Sequence, residues 1–207
     1  FLQQAGAQVV LTLSDDYFVS LQDRVDISAR EQCDFLISLH HNADDKPETN
    51  YVSVYYHLHP DYSPLSLDLA RHVYFELVSA LRLPQVAEDG LLTDRLIYPA
   101  GFGLLRRATM PAILLETSFF SNPKEEARLM DWRYNRREAY AIFLGLAKWA
   151  AGGIPEAKLQ APTGISRDKR PLVVYALSDG IVERGGRSDG RLLAYSESVA
   201  LKLDGEP

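Results

Sequence analysis

Short apolar runs closed by polar residues alternate along this chain with longer stretches whose apolar positions recur every three or four residues. Two runs stand out. Phe35-Leu36-Ile37-Ser38-Leu39 leads into His40-His41-Asn42, and Ala112-Ile113-Leu114-Leu115, opened by Pro111, leads into Glu116. Runs so short and apolar predict buried strands of a parallel sheet. Parallel α/β sheets place their sites at the carboxyl ends of strands. A histidine and a glutamate at two such ends are parts of a metal-hydrolase site.

The other elements follow from the same periodicities. Phe1–Gln4 reads as a last helical turn stopped by Gly6, and Gln8–Leu13 as a strand. Leu21, Val25, Ala29 and Cys33 recur at helical spacing. Residues 42–50 read as a polar loop. Tyr51–His59 alternates, with Val52, Val54, Tyr56 and Leu58 on one face, which predicts a strand at a sheet edge. Ser66–Leu83 reads as a long helix burying Leu69, Ala70, Val73, Leu77, Val78 and Leu81, ended by Pro84. Gln85–Gly103, with Gly90, Pro99, Gly101 and Gly103, reads as a loop-rich passage. Asn122-Pro123 followed by acids is a helix start. A last helix runs from about Arg136 to Ala151, burying Ala139, Ile142, Phe143, Leu146 and Trp149.

At Gly152-Gly153-Ile154-Pro155 the pattern breaks. Beyond it come short β-like runs at 172–177, 181–183, 191–195 and 199–203, separated by Asp-Gly turn signals. The expected organisation is therefore a domain over 1–152 and, over 153–207, a linker with part of a small β-sandwich-like module. The fold class is α/β: a mostly parallel twisted sheet with helices on both faces, followed by the small β module.

Composition narrows the function. Hydrophobic residues make up 46% of the 207, enough for a full core. No apolar run approaches the ~20 residues of a membrane span. The net charge is −6, which gives no support to a nucleic-acid partner. Cys33 is the only cysteine, so an internal disulfide and a thiolate-rich metal centre are both excluded.

Several motifs together resemble one family. Leu11-Thr12, Asp15 or Asp16, Leu21, Arg24, Ala29, Asp34, Ser38-x-His40-x-Asn42, Leu104-Leu105-Arg106 and Met110-Pro111-Ala112 through Glu116 to Ser121-Asn122 occur in the order and strand context of the zinc-dependent N-acetylmuramoyl-L-alanine amidases, amidase type 3. The resemblance covers about Gly6 to Trp149. It implies one Zn²⁺ held by two histidines and a glutamate, with a second glutamate as acid/base. His40 matches the later histidine ligand and Glu116 the catalytic glutamate. The implied reaction cleaves the amide between N-acetylmuramic acid and the L-alanine of the stem peptide. The implied partner is peptidoglycan, and the implied location is outside the cytoplasm, in the periplasm or cell wall. The family's other two zinc ligands would precede Phe1, so the chain reads as N-terminally truncated, and this piece is expected to be inactive on its own. Leu13 stands where the family usually has Arg, and Ser118 where it usually has Gly, a residue often chosen for positive φ.

Other readings stand beside these. Glu116 could be a structural carboxylate paired with Arg106 or Arg107. Asn42 binds substrate or shapes its turn; Arg106 binds a substrate carboxylate or pairs with an acid. The tyrosines at 51–62 line a glycan groove or pack a sheet edge. His41 points away from His40 and reads as a surface residue. His57 and His59 share a strand face and could chelate a metal. Two rivals to the enzyme reading are a metal-free amidase-like module that only grips peptidoglycan, and an unrelated zinc peptidase.

Overall fold

The computed structural model of the chain describes residues 1–59, 63–84, 90–151, 156–161 and 174–178. Contacts between Cα atoms divide the chain into two units, Phe1–Lys148 and Trp149–Pro207.

The first unit is built on a four-stranded sheet. Helix α1 (Leu21–Arg30) leads to β1 (Leu36–Asn42), then β2 (Ser53–Tyr56), α2 (Ser63–Leu81) and β3 (Leu91–Thr93). A 3-10 turn (Asp94–Leu96), α3 (Gly103–Arg107), β4 (Ala112–Phe119), α4 (Pro123–Leu129) and α5 (Trp132–Ala151) complete it. The strand order is β1-β4-β2-β3. β1 runs parallel to β4 and β2 parallel to β3, while β2 and β4 are antiparallel. The sheet is thus mixed and mostly parallel, with helices around it.

Strand parity divides the core. Ala112, Leu114 and Glu116 point to one face of β4. There Ala112 and Leu114 join Leu36, Tyr55, Val25 of α1 and Leu104 and Leu105 of α3 in one apolar cluster. Ile113, Leu115, Thr117 and Phe119 point to the other face. On that side Leu69, Val73 and Leu77 of α2 are fully enclosed, and α5 lies against α2 so closely that a Cβ on Gly145 would come within 2.6 Å of Val73 Cα.

The helices start where local chemistry sets them. Ser20 caps α1 by accepting from Asp23 N, and Asn122 caps α4 by accepting from Lys124 N and Glu125 N. α5 begins at Trp132, four residues before its expected start, because Asp131 Oδ1 accepts from Arg133 N at 2.9 Å. Its buried positions are Ala141, Gly145 and Leu146, and Ala139 is exposed.

Other expectations are corrected. Gln8–Leu13 forms no strand. A strand exists only through its ladder, and among the described residues none pairs with this segment; Val9, Leu11 and Leu13 stay exposed. β2 is not at an edge but lies between β4 and β3, so Val52, Ser53, Val54 and Tyr55 are all buried. Within the loop-rich passage Gln85–Gly103 lie β3 and the 3-10 turn, and α3 begins at its end.

In the second unit β5 (Glu156–Ala161) pairs antiparallel with β6 (Val174–Ser178). β6 overlaps the run expected at 172–177 and extends to Ser178, whereas no strand was expected at β5. The expected runs at 181–183, 191–195 and 199–203 lie outside the described residues.

Candidate active site

The β1–β4 ladder places His40 directly beside Glu116, and the β2–β4 ladder places Ser53 on Glu116's other side. Direct ladder partners point to the same face, so these three side chains stand abreast, with strands roughly 4.8 Å apart. The row sits where the parallel pair β1 and β4 approaches its carboxyl ends, just past the apolar cluster.

Each side chain is tuned by its surroundings. Partial burial, then the Arg24 guanidinium, then His41 hold His40 below the ordinary imidazole range, which favours the neutral, ligand-competent ring. Ser38 Oγ, on the same strand face, lies 2.7 Å from His40 Nε2 and fixes the ring. Burial pushes Glu116 up from the ordinary 4.5 to about 7. Its Oε2 is buried and has no hydrogen-bond partner among the described residues. An unpaired carboxyl oxygen poised near neutral pH can take a proton and return it. No ion pair joins Glu116 to Arg106 or Arg107: Arg106 donates from Nη1 to Ala100 O at 3.1 Å, and Arg107 to Gly103 O at 2.8 Å.

Asn42 Oδ1 accepts from Ala43 N at 2.8 Å, which shapes the turn after β1. Ser118 needs no glycine-like backbone, because the only non-glycine residues with positive φ among those described are Gln32 and Arg82. Among the described residues His57 and His59 belong to no group of three His, Cys, Asp or Glu side chains that could hold a metal. His57 is buried with Nδ1 2.9 Å from Asp94 Oδ1, and Asp94 Oδ2 accepts from Phe102 N. Gly101, at φ +70°, packs where a Cβ would come within 2.5 Å of both partners. His41 is no surface residue. It is half-buried against Thr117, Ser118 and Glu138.

A catalytic zinc needs three protein ligands. Among the described residues no group of three His, Cys, Asp or Glu side chains could hold a metal. One imidazole and one half-buried carboxyl do not make a zinc centre, so the residues present do not by themselves fit that ion. Sequence reasoning missed Ser53, whose parity with Glu116 is readable only once the register is known, and gave Ser38 no role beyond its place in the motif, although it shares His40's strand face.

The fold is α/β, with chemically capable side chains gathered at the ends of a parallel strand pair. The chain belongs to the N-acetylmuramoyl-L-alanine amidase family, whose model matches residues 1–148. It is 31% identical over 153 residues to the N-acetylmuramoyl-L-alanine amidase LytC of Bacillus subtilis, covering 72% of this chain and 28% of that protein. It is 32% identical over 148 residues to the probable cell wall amidase LytH of Staphylococcus epidermidis, covering 72% and 44%. The chain thus spans less than half the length of these relatives. Among solved structures it resembles the catalytic domain of the amidase CwlV from Bacillus (Paenibacillus) polymyxa, with TM-score 0.61, 30% identity and coverage of 72% and 76%. The amidase AmiC2 of Nostoc punctiforme is similar at TM-score 0.61 and 32% identity, with the same coverage.

Proposed function

We propose that this chain carries catalytic machinery of a peptidoglycan amidase that cleaves the bond between the lactyl group of N-acetylmuramic acid and the L-alanine of the stem peptide. The observation that supports this best is the ladder pair His40–Glu116, which sets side by side the imidazole and carboxyl that the sequence resemblance implies as zinc ligand and acid/base. The reaction consumes one water: the lactyl carbonyl ends as a carboxylic acid and the alanine nitrogen as an amine. Glu116, with a free Oε2 and a pKa raised to about 7, is the acid/base that takes the water's proton and delivers it to that nitrogen. His40 is assigned as one ligand of the family's zinc. Asn42 and Arg106 are assigned to substrate. The relatives named for the cell wall support action outside the cytoplasm, and among the described residues no helix is long and apolar enough to cross a membrane.

The test digests purified peptidoglycan with zinc supplied, using this chain and the full open reading frame that encodes it, and reads products by mass spectrometry. Stem peptides with a free L-alanine amine, lost by roughly 10²- to 10⁴-fold in rate on Glu116→Gln, are expected. Peptides cut inside the stem would favour a peptidase. Binding without any cleavage by the full frame would favour a grip-only module and end the catalytic assignment of Glu116.

A further inference from the structure

The ladder between β1 and β4 is regular from Leu36 to His40 and then slips. His40 pairs with Glu116, but Asn42 pairs with Phe119, so two residues of β4, Thr117 and Ser118, stand opposite the single residue His41. This is a bulge, a device that turns a strand and re-aims the side chains beside it. It is uncommon between parallel strands, and it begins one residue past the catalytic row.

The bulge is held by a set of polar contacts, and Thr117 Oγ1 also lies 3.4 Å from His40 O. His41 Nδ1 lies 3.0 Å from Ser118 Oγ and 3.0 Å from Thr117 Oγ1, so one ring spans both bulged residues. Thr117 Oγ1 donates to Glu138 Oε1 at 3.1 Å. The same Glu138 oxygen lies 3.7 Å from His41 Nε2. Glu138 sits on α5, so a single carboxylate from a distant helix touches the residue after His40 and the residue after Glu116.

Stability alone does not account for this carboxylate. Its side chain is only 14% exposed, and its Oε2 is buried without a partner among the described residues. Burial pushes its pKa up, with opposing pulls from His41 and Thr117. A buried carboxylate with an oxygen left over is weak support for a fold, and an apolar residue of similar size would serve packing better.

We propose that Glu138, acting through His41 and Thr117, is a positioning residue that pins the bulge and so holds His40 and Glu116 at their working separation. It touches neither substrate nor metal. It works by fixing the two strand tips from behind, as outer-shell partners orient the groups that do the chemistry. The inference rests on the amidase reading for its kinetic consequence, but its geometric content does not.

Two measurements separate these. The first needs no catalysis. The ring resonances of the five histidines are recorded by NMR for this chain, metal-free at fixed pH, in the wild type, Glu138→Ala and Thr117→Val. Thr117→Val replaces the hydroxyl with a methyl, leaves the charge unchanged and keeps a β-branched strand residue, so it remains informative if Glu138→Ala folds poorly. The His40 resonances are expected to shift or broaden in both variants while those of His57, at the opposite end of β2, stay put. Unmoved His40 resonances in folded Thr117→Val would overturn the proposal. The second measures kcat and KM on peptidoglycan fragments with the full reading frame. Glu138→Ala is expected to lower kcat by roughly 10- to 100-fold with KM within about threefold, and Glu138→Gln, which still accepts from Thr117, to recover most of it. The double variant His41→Ala/Glu138→Ala is expected to lose no more than the worse single variant, since the two act as one unit. A drop in activity that merely tracks the folded fraction would reduce Glu138 to a structural latch. A wild type that does not cleave ends the amidase reading and leaves the NMR result to decide the positioning claim.

Discussion

The carboxyl of Glu116 should cost the fold stability, and the cost should depend on pH in a set direction. Glu116→Gln keeps the shape and removes the charge. Burial raises the folded pKa from the ordinary 4.5 to about 7, so the folded state holds a proton more tightly than the unfolded chain does. Below about pH 4.5 the group is protonated in both states and costs nothing. As pH rises through the window from 4.5 to 7 the unfolded chain ionises first, and the wild type loses stability; above about 7 the loss is complete and constant. For a fully enclosed carboxyl that displacement would be worth ~3 kcal/mol. Glu116 is only half-buried, and solvent screening brings the figure to about 1–2 kcal/mol. The assay is urea unfolding followed by circular dichroism, in chelator, at pH 4.5, 6 and 8. The glutamine variant should match the wild type at pH 4.5 and exceed it by about 1–2 kcal/mol at pH 8. A variant that is less stable at pH 8, or one whose advantage does not change with pH, would refute the view that Glu116 is an uncompensated carboxyl.

Two further perturbations probe the frame around the row. Glu125 is fully buried and accepts from Asn50 Nδ2 at 3.0 Å, Arg128 Nη1 at 3.0 Å and Tyr134 OH at 2.5 Å. Glu125→Ala leaves the buried Asn50 amide without its acceptor, while the half-exposed Arg128 can turn to solvent, and should cost about 1–3 kcal/mol in urea unfolding; a loss below about 0.5 kcal/mol would mean that the knot is dispensable. Gly145→Val should lower the thermal midpoint sharply, because its new Cβ meets Val73 Cα at 2.6 Å in a close α2–α5 crossing. An unchanged midpoint would show that the two helices are free to part.

How much of this was legible beforehand depended on whether the signal was local. β1 and β4 announced themselves, because an apolar run ending in a polar residue carries its meaning within eight residues. His40 and Glu116 came with them, through motif and strand end together. The β2 register did not. Alternation suggested one wet face, but Tyr55 buries its ring against Phe102, with centroids 5.2 Å apart, and Ser53 is enclosed beside Glu116. Tyrosine and serine read as polar in a pattern and behave otherwise under a sheet neighbour. His41 was misplaced for a related reason. Strict period-two reasoning sends it to the surface, whereas the bulge and a helix 97 positions further on give it partners. Gln8–Leu13 had the right composition for a strand, and composition cannot supply the ladder that makes one.

The contact between His41 and Thr117 joins residues 76 positions apart in the sequence. At synthesis rates of about 5–20 residues per second, the β4 half of that contact leaves the ribosome roughly 4–15 s after the β1 half. Through that interval the chain holds an imidazole with no carboxyl beside it. Closing a loop of this length must precede any reward from the ladder, which places the pairing of β1 with β4 late in folding. The row of His40, Glu116 and Ser53 is therefore absent until β4 has been made and has paired with β1 and β2. The imidazole and the carboxyl come to stand side by side only when the central sheet has closed.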